Sequence, residues 1–186
     1  MVVEDQIKLM SQRIGAQRFE ALLSRLDDCG SAGDALRLLR SSEFFRGLVD
    51  RQIDWLETEA QFKVSTIDYI TAAHKRSAAT LQSTEAKLTS SLRVLRQQAM
   101  LHILWRSFTQ RATGLDETLL AMSDLADFVI REAVRFAEAQ VGTRFGEPIG
   151  EESQTRQRLI VVGMGKLGGR ELNLSSDIDI IFVYDE

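Results

Sequence analysis

The sequence predicts a mainly α-helical array followed by the first strands of an α+β domain. Three observations carry this. The 186 residues hold a single proline, Pro148, and proline breaks helices. Apolar residues recur at spacings of three and four over roughly the first 145 positions. Two short apolar runs rich in β-branched residues then occur, Leu159-Ile160-Val161-Val162 and Ile178 to Tyr184, and such runs favour strands.

In order along the chain, Leu22, Leu23 and Leu26 share one helical face. Ser31 and Asp34 form a capping signal ahead of Ala35, Leu36, Leu38 and Leu39. Phe44, Phe45, Leu48, Val49, Ile53 and Leu56 continue the pattern. Residues 77–90 are polar and fit either a loop or an exposed helix. Leu92, Leu95, Ala99, Ile103 and Phe108 line a helix over about 85–111. Leu119, Met122, Leu125, Ala126, Val129, Ile130, Ala133, Ala137 and Val141 line the next. Thr113 and Asp116 are candidate caps for its start, and Gly142 and Gly146 lie where it should stop. No repeat of fixed period is present, so a solenoid is not indicated.

Composition shifts at Gly146, and Gly146 to Thr155 reads as a polar, turn-rich linker. The expected division is a helical region over 1–146, a linker over 147–157 and the start of a second domain over 158–186. Leu159–Val162 is expected as a buried strand. Because one strand pair makes no stable sheet alone, the chain is expected to be a fragment of a longer protein.

Hydrophobic residues make up 44% and charged residues 27%, the balance of a soluble globular chain. Lys plus Arg number 23 against 27 Asp plus Glu, a net charge of −4, which argues against a nucleic-acid binder. No apolar run reaches the roughly 18 residues of a membrane span. Met1-Val2-Val3-Glu4-Asp5 lacks the parts of a signal peptide. Cys29 is the one cysteine and allows no internal disulfide. A cytoplasmic protein is expected.

The chemistry-bearing stretch is 163–179. Gly163, Gly165, Gly168 and Gly169 follow the first strand directly. Glycine lets backbone N–H groups approach a phosphate closely, and Lys166 and Arg170 add positive charge. A tight turn without a ligand is the alternative. Asp177 and Asp179 stand at the mouth of the second strand, just after Ser175-Ser176. Residues two apart on a strand share a face, so the carboxylates lie close together. Two neighbouring anions favour an intervening cation or proton, and carboxylate oxygens suit Mg²⁺. The bland alternative is a solvated strand edge.

These residues resemble the nucleotidyltransferase superfamily typified by DNA polymerase beta. Its pattern is a Gly-Gly or Gly-Ser pair, about ten residues, then Asp-x-Asp. Gly165-Lys166 stands at the pair, so no hydroxyl is available at 166. The longer string Gly-Met-Gly-Lys-Leu-Gly-Gly-Arg-Glu-Leu-Asn-Leu-Ser-Ser-Asp-Ile-Asp-Ile-Ile-Phe is similar to the N-terminal, adenylyl-removing copy in the glutamine synthetase adenylyltransferase/adenylyl-removing enzyme family. Residues 36–44 and 100–106 resemble that family's helical stretches.

The resemblance implies a polymerase beta-like fold for 158–186. It implies phosphorolytic removal of AMP from a tyrosine of glutamine synthetase, with ADP released. ATP-dependent addition of AMP falls to a second domain. It further implies catalytic and metal-binding roles for Asp177 and Asp179 with Mg²⁺. Gly165, Lys166, Gly168, Gly169, Ser175 and Ser176 would bind the nucleotide or phosphate. Glutamine synthetase and the PII signalling protein are the implied partners. The superfamily's third carboxylate lies on a later strand. Asp185 and Glu186 sit roughly 20 Å along an extended strand from Asp179 and do not replace it, so the chain alone is expected to be inactive.

Two other readings stay open. Gly163-x-Gly165-x-x-Gly168, with Asp185 about twenty residues on, matches a Rossmann dinucleotide fingerprint. Against it, 170–176 offers only Leu172 and Leu174 for the apolar face of a crossover helix. A helical interaction module without catalysis is the second. Elsewhere, Cys29, His74, His102 and Lys75-Arg76 carry no partner spacing that points to chemistry. Trp55 and Trp105 read as packing anchors.

Overall fold

The computed structural model describes residues 3–58, 60, 62, 64–77, 84–109 and 114–184, with backbone alone at 67 and 73–77. Helices come first: α1 (Val3–Ile14), α2 (Ala16–Asp27), α3 (Asp34–Ser41), α4 (Glu43–Arg51), α5 (Ile53–Thr58), α6 (Thr66–Ser77), α7 (Glu85–Phe108) and α8 (Leu115–Phe145). Then follow β1 (Ile160–Gly163), α9 (Gly165–Gly168) and β2 (Ile180–Val183). This is the helical array and strand pair that the sequence predicts. The polar stretch resolves in part: Ser77 closes α6 and Glu85–Ser90 opens α7, while 78–83 lie outside the described residues. No helix among the described residues is long and apolar enough to cross a membrane.

The chain forms two compact units. One comprises residues 1–66 and 97–115, the other 67–96 and 116–186. In the first, the apolar faces of α2 to α5 converge. Leu22, Leu26, Leu39, Phe45, Leu48 and Leu56 are each at most 1% exposed. The second half of α7 closes this core, with Ala99, Met100, Leu101, His102, Ile103 and Trp105 all buried. A helix buried on nearly every side has no single apolar stripe, which is why a one-face reading of α7 finds only Ala99 and Ile103 of these. Trp105 stacks on Phe45 with ring centroids 6.4 Å apart and meets Phe62 at 5.8 Å. Phe62 also stacks on His102 at 5.8 Å and takes an edge contact from Trp55 at 6.1 Å. His102 is thus a core residue, its Nδ1 3.3 Å from the Thr66 hydroxyl. Phe44, placed on the apolar face by its spacing, is 46% exposed.

Helix ends differ in detail from the sequence reading. The Asp34 carboxylate accepts from the Ser31 N–H at 2.8 Å, half of a capping box. The main cap of α3 is Asp27, at the end of α2, which accepts from the N–H groups of Gly33 and Ala35 at 2.8 and 2.9 Å. Ser42 caps α4 by accepting from the Phe45 N–H at 3.1 Å. α8 runs through Gly142 and stops before Gly146, whose φ of 86° is left-handed. Asp116 lies in the first turn of α8, where its charge suits the helix N-terminus. Thr113 lies outside the described residues. On the surface of this unit, hydrogen bonds from Arg18 to Glu57 (2.6 Å) and to Asp54 hold the guanidinium pKa above its ordinary value.

In the second unit, α8 buries Ala121, Met122, Leu125, Phe128 and Phe136. Residues 147–157 are ordered: Ile149 bridges Arg156, and the Gly150 N–H donates to Thr155 at 3.0 Å. β1 and β2 pair antiparallel, with Val161 opposite Phe182 and Gly163 opposite Ile180. The expectation of a buried first strand is corrected here. Ile160 is 55% exposed and Phe182 57%. A β-branched run is buried only when layers cover both faces, and the described residues of this unit supply no such cover.

Candidate functional site

The site grows from one end of the antiparallel sheet, where β1 finishes and β2 begins. Met164 leaves β1 in an extended conformation and precedes the single turn of α9. Gly165 has a φ of +51° with nothing within 4 Å of where a Cβ would stand. Its glycine is required by conformation, and the space around it is open. Gly168 is required by packing, because a Cβ there would collide with the Gly163 carbonyl oxygen. Gly169 is different. Its φ is −78°, and a Cβ would meet the Gly165 oxygen only at an ordinary 3.5 Å. Nothing inside the turn demands a glycine there. Lys166 is exposed on the same turn, and Leu167 is buried beneath it.

The ladder continues one bond past the strands, because the Met164 N–H donates to the Asp179 carbonyl at 2.9 Å. This brings the start of the glycine turn beside the end of Asp177-Ile178-Asp179. Asp177 and Asp179 are both exposed. The register puts Asp179 on the face shared by Ile181 and Val162. Upstream, Asn173 organises the approach. Its Oδ1 accepts from the Ser175 N–H (3.1 Å), the Ser175 hydroxyl (3.2 Å) and the Ser176 hydroxyl (2.7 Å). Both serine hydroxyls therefore serve the loop that leads to Asp177. The sequence reading does not include Asn173, although an Asn side chain that bonds the backbone two residues on is a known turn device.

The glycine turn is seated on α8, and this is the part that spacing in the sequence does not reveal. Arg170, a non-glycine residue at φ +58°, donates through Nη2 to Asp124 at 2.6 Å and lies 3.7 Å from Asp127 through Nη1. The N–H of buried Leu172 donates to the hydroxyl of fully buried Ser123 at 3.2 Å. At the start of β1, the Leu159 N–H donates to Glu138 at 3.1 Å. Arg170, read from sequence as charge beside a phosphate, is engaged with two aspartates. These partners lie 21 to 49 residues apart in sequence, and no local period marks them.

The strands run antiparallel and α9 has four residues. A Rossmann βαβ unit needs parallel strands joined by a full crossover helix, so that alternative is excluded. Among the described residues, no group of three His, Cys, Asp or Glu side chains is arranged to hold a metal. The Asp177 and Asp179 pair nevertheless fits part of a Mg²⁺ site. Both are hard oxygen donors open to solvent, and Mg²⁺ is commonly held by one or two carboxylates together with water and phosphate. Lys166, Asp177 and Asp179 are all exposed to solvent.

Residues 16–186 match the family model described as glutamate-ammonia ligase adenylyltransferase. Curated relatives carry the name bifunctional glutamine synthetase adenylyltransferase/adenylyl-removing enzyme. The one from Thioalkalivibrio sulfidiphilus is 52% identical over 100 residues, covering 54% of this chain and 10% of the relative. That from Ralstonia nicotianae is 48% identical over 102 residues, covering 55% and 11%. That from Pseudomonas putida is 47% identical over 111 residues, covering 59% and 11%. The aligned segment therefore spans about a tenth of the length of these relatives.

Proposed function

The chain belongs to the glutamate-ammonia ligase adenylyltransferase family, and on that premise we propose that residues 160–183 are part of a nucleotidyltransferase site acting on glutamine synthetase. The reaction is phosphorolytic removal of AMP from a tyrosine of glutamine synthetase, releasing ADP. A second domain of the full-length enzyme performs the ATP-dependent addition of AMP. The observation that carries this reading is the Met164 to Asp179 hydrogen bond, which sets the glycine turn beside the Asp-x-Asp pair.

In this reading Gly165 and Gly169 leave room for phosphate oxygens to reach the turn, and Lys166 supplies positive charge there. Asp177 and Asp179 would hold Mg²⁺, which when bound supplies charge neutralisation at the phosphoryl oxygens. Asn173, through Ser175 and Ser176, holds the loop that presents Asp177. Charge develops on phosphoryl oxygens during transfer, so fixed donors are more effective than water that must reorient. The protein works in the cytoplasm, with the PII signalling protein as regulatory partner.

A ligand comparison tests this reading. Full-length enzyme should bind ADP or ATP more tightly when Mg²⁺ is added and should show no binding of NAD. Binding of NAD independent of metal, or no change in ADP affinity on Mg²⁺ addition, contradicts it.

A further inference from the structure

We propose that Arg170 is a positioning residue, clamping the glycine turn to α8 through Asp124 and Asp127, and not a phosphate ligand. The inference rests on the site reading above and adds a device to it. Arg170 follows Gly168 and Gly169 directly. Its left-handed backbone turns the chain toward α8, and its two terminal nitrogens face carboxylates one helical turn apart, at 2.6 and 3.7 Å. Two residues on, the Leu172 N–H is tied to Ser123 on the same helix. The Ser123 hydroxyl in turn donates to the Leu119 carbonyl at 2.9 Å. The exit of the turn is therefore fastened to three residues of α8, while Gly165, Lys166 and Gly169 remain exposed.

The chemistry assigns different tasks to the two cations. Lys166 is exposed and stands on the turn itself, open to an incoming phosphate. Arg170 faces two aspartates, whose negative charges offset its own beside the turn. A planar guanidinium that bridges two fixed acceptors sets an orientation as well as a charge balance. A displacement of about 1 Å at a reacting centre costs on the order of a hundredfold in rate, so a clamp of this kind has a kinetic signature.

The test uses full-length enzyme and adenylylated glutamine synthetase, with phosphate-dependent ADP release as readout. Arg170→Gly removes the side chain and also relieves the left-handed backbone, so lost activity is not a consequence of strain. Its kcat should fall by roughly 10- to 100-fold with KM for phosphate little changed. The double variant Asp124→Asn/Asp127→Asn frees Arg170 and should lose kcat comparably. A phosphate-binding Arg170 predicts instead a raised KM for phosphate in Arg170→Gly and a kept kcat in the Asp124→Asn/Asp127→Asn variant. The charge-swapped pair Arg170→Asp/Asp124→Arg should recover at least tenfold over Arg170→Asp alone, about one factor of ten in rate for each 1.4 kcal/mol. No recovery overturns the clamp. Amide exchange across 163–172, measured on the full-length enzyme, should quicken in Arg170→Gly. Unchanged exchange overturns the inference without reference to activity. Loss of the site reading is separately visible, because Asp177→Asn would then retain its rate whatever the Arg170 variants do.

Discussion

The backbone N–H of Met164 donates to the carbonyl of Asp179 at 2.9 Å, joining the residue that opens the glycine turn to the one that closes the Asp-x-Asp motif. Two residues fifteen positions apart in sequence are thus joined. The bond uses main-chain atoms alone, so it survives substitution of either side chain and leaves the Asp179 carboxylate unengaged by this contact.

The glycines of the turn separate into those the backbone needs and one it does not. Gly168→Ala forces a Cβ into the Gly163 carbonyl and should cost about 1–3 kcal/mol, the usual penalty of overpacking. Gly169→Ala meets only ordinary contact and should change stability by less than about 0.5 kcal/mol. If Gly169 admits a phosphate, its alanine variant should bind ADP more weakly while melting normally. Thermal unfolding together with ADP titration of both variants checks the pair.

Asp27 caps the following helix with two hydrogen bonds, to Gly33 and Ala35. Asp27→Ala should destabilise the first unit by about 1 kcal/mol, the typical value of a lost cap. Asp27→Asn, which retains one acceptor oxygen, should lose less. Urea unfolding followed by far-ultraviolet circular dichroism distinguishes them.

Trp105 is fully buried between Phe45 and Phe62. Trp105→Ala should cost about 3–5 kcal/mol through lost burial and a residual cavity. Trp105→Phe should cost clearly less. The same urea experiment reads both, and a Trp105→Ala variant as stable as the parent would remove Trp105 from the core.

Much of the fold was legible in the sequence because helix periodicity is local. Leu22, Leu26, Leu38, Leu39, Phe45 and Leu48 show their buried face through spacing alone, and the β-branched runs mark both strands. Where burial depends on distant partners, local pattern fails. The second half of α7 is enclosed all round, so no stripe identifies Leu101 or His102. Ile160 and Phe182 look like core residues yet are exposed, because composition cannot show which layers cover a strand. At the site, the glycines and aspartates were legible as a motif with chemical sense. The seat on Ser123, Asp124 and Asp127 was not, since those side chains resemble any polar face of a long helix. The cap at Asp27 was hidden for the same reason: it belongs to the helix before the one it caps.

We propose that Asp177 and Asp179 act together with the glycine turn in phosphorolytic adenylyl removal. The most direct measurement is phosphate-dependent ADP release from adenylylated glutamine synthetase, comparing full-length enzyme, Asp177→Asn and Asp179→Asn over a range of Mg²⁺ concentrations. Both aspartates are exposed, so each substitution should shift unfolding by less than about 0.5 kcal/mol. Each should lower the rate by on the order of a hundredfold or more, in keeping with the loss of an electrostatic contribution to the transition state, with excess Mg²⁺ restoring only part of it. Near-normal rates in either folded variant would contradict the account.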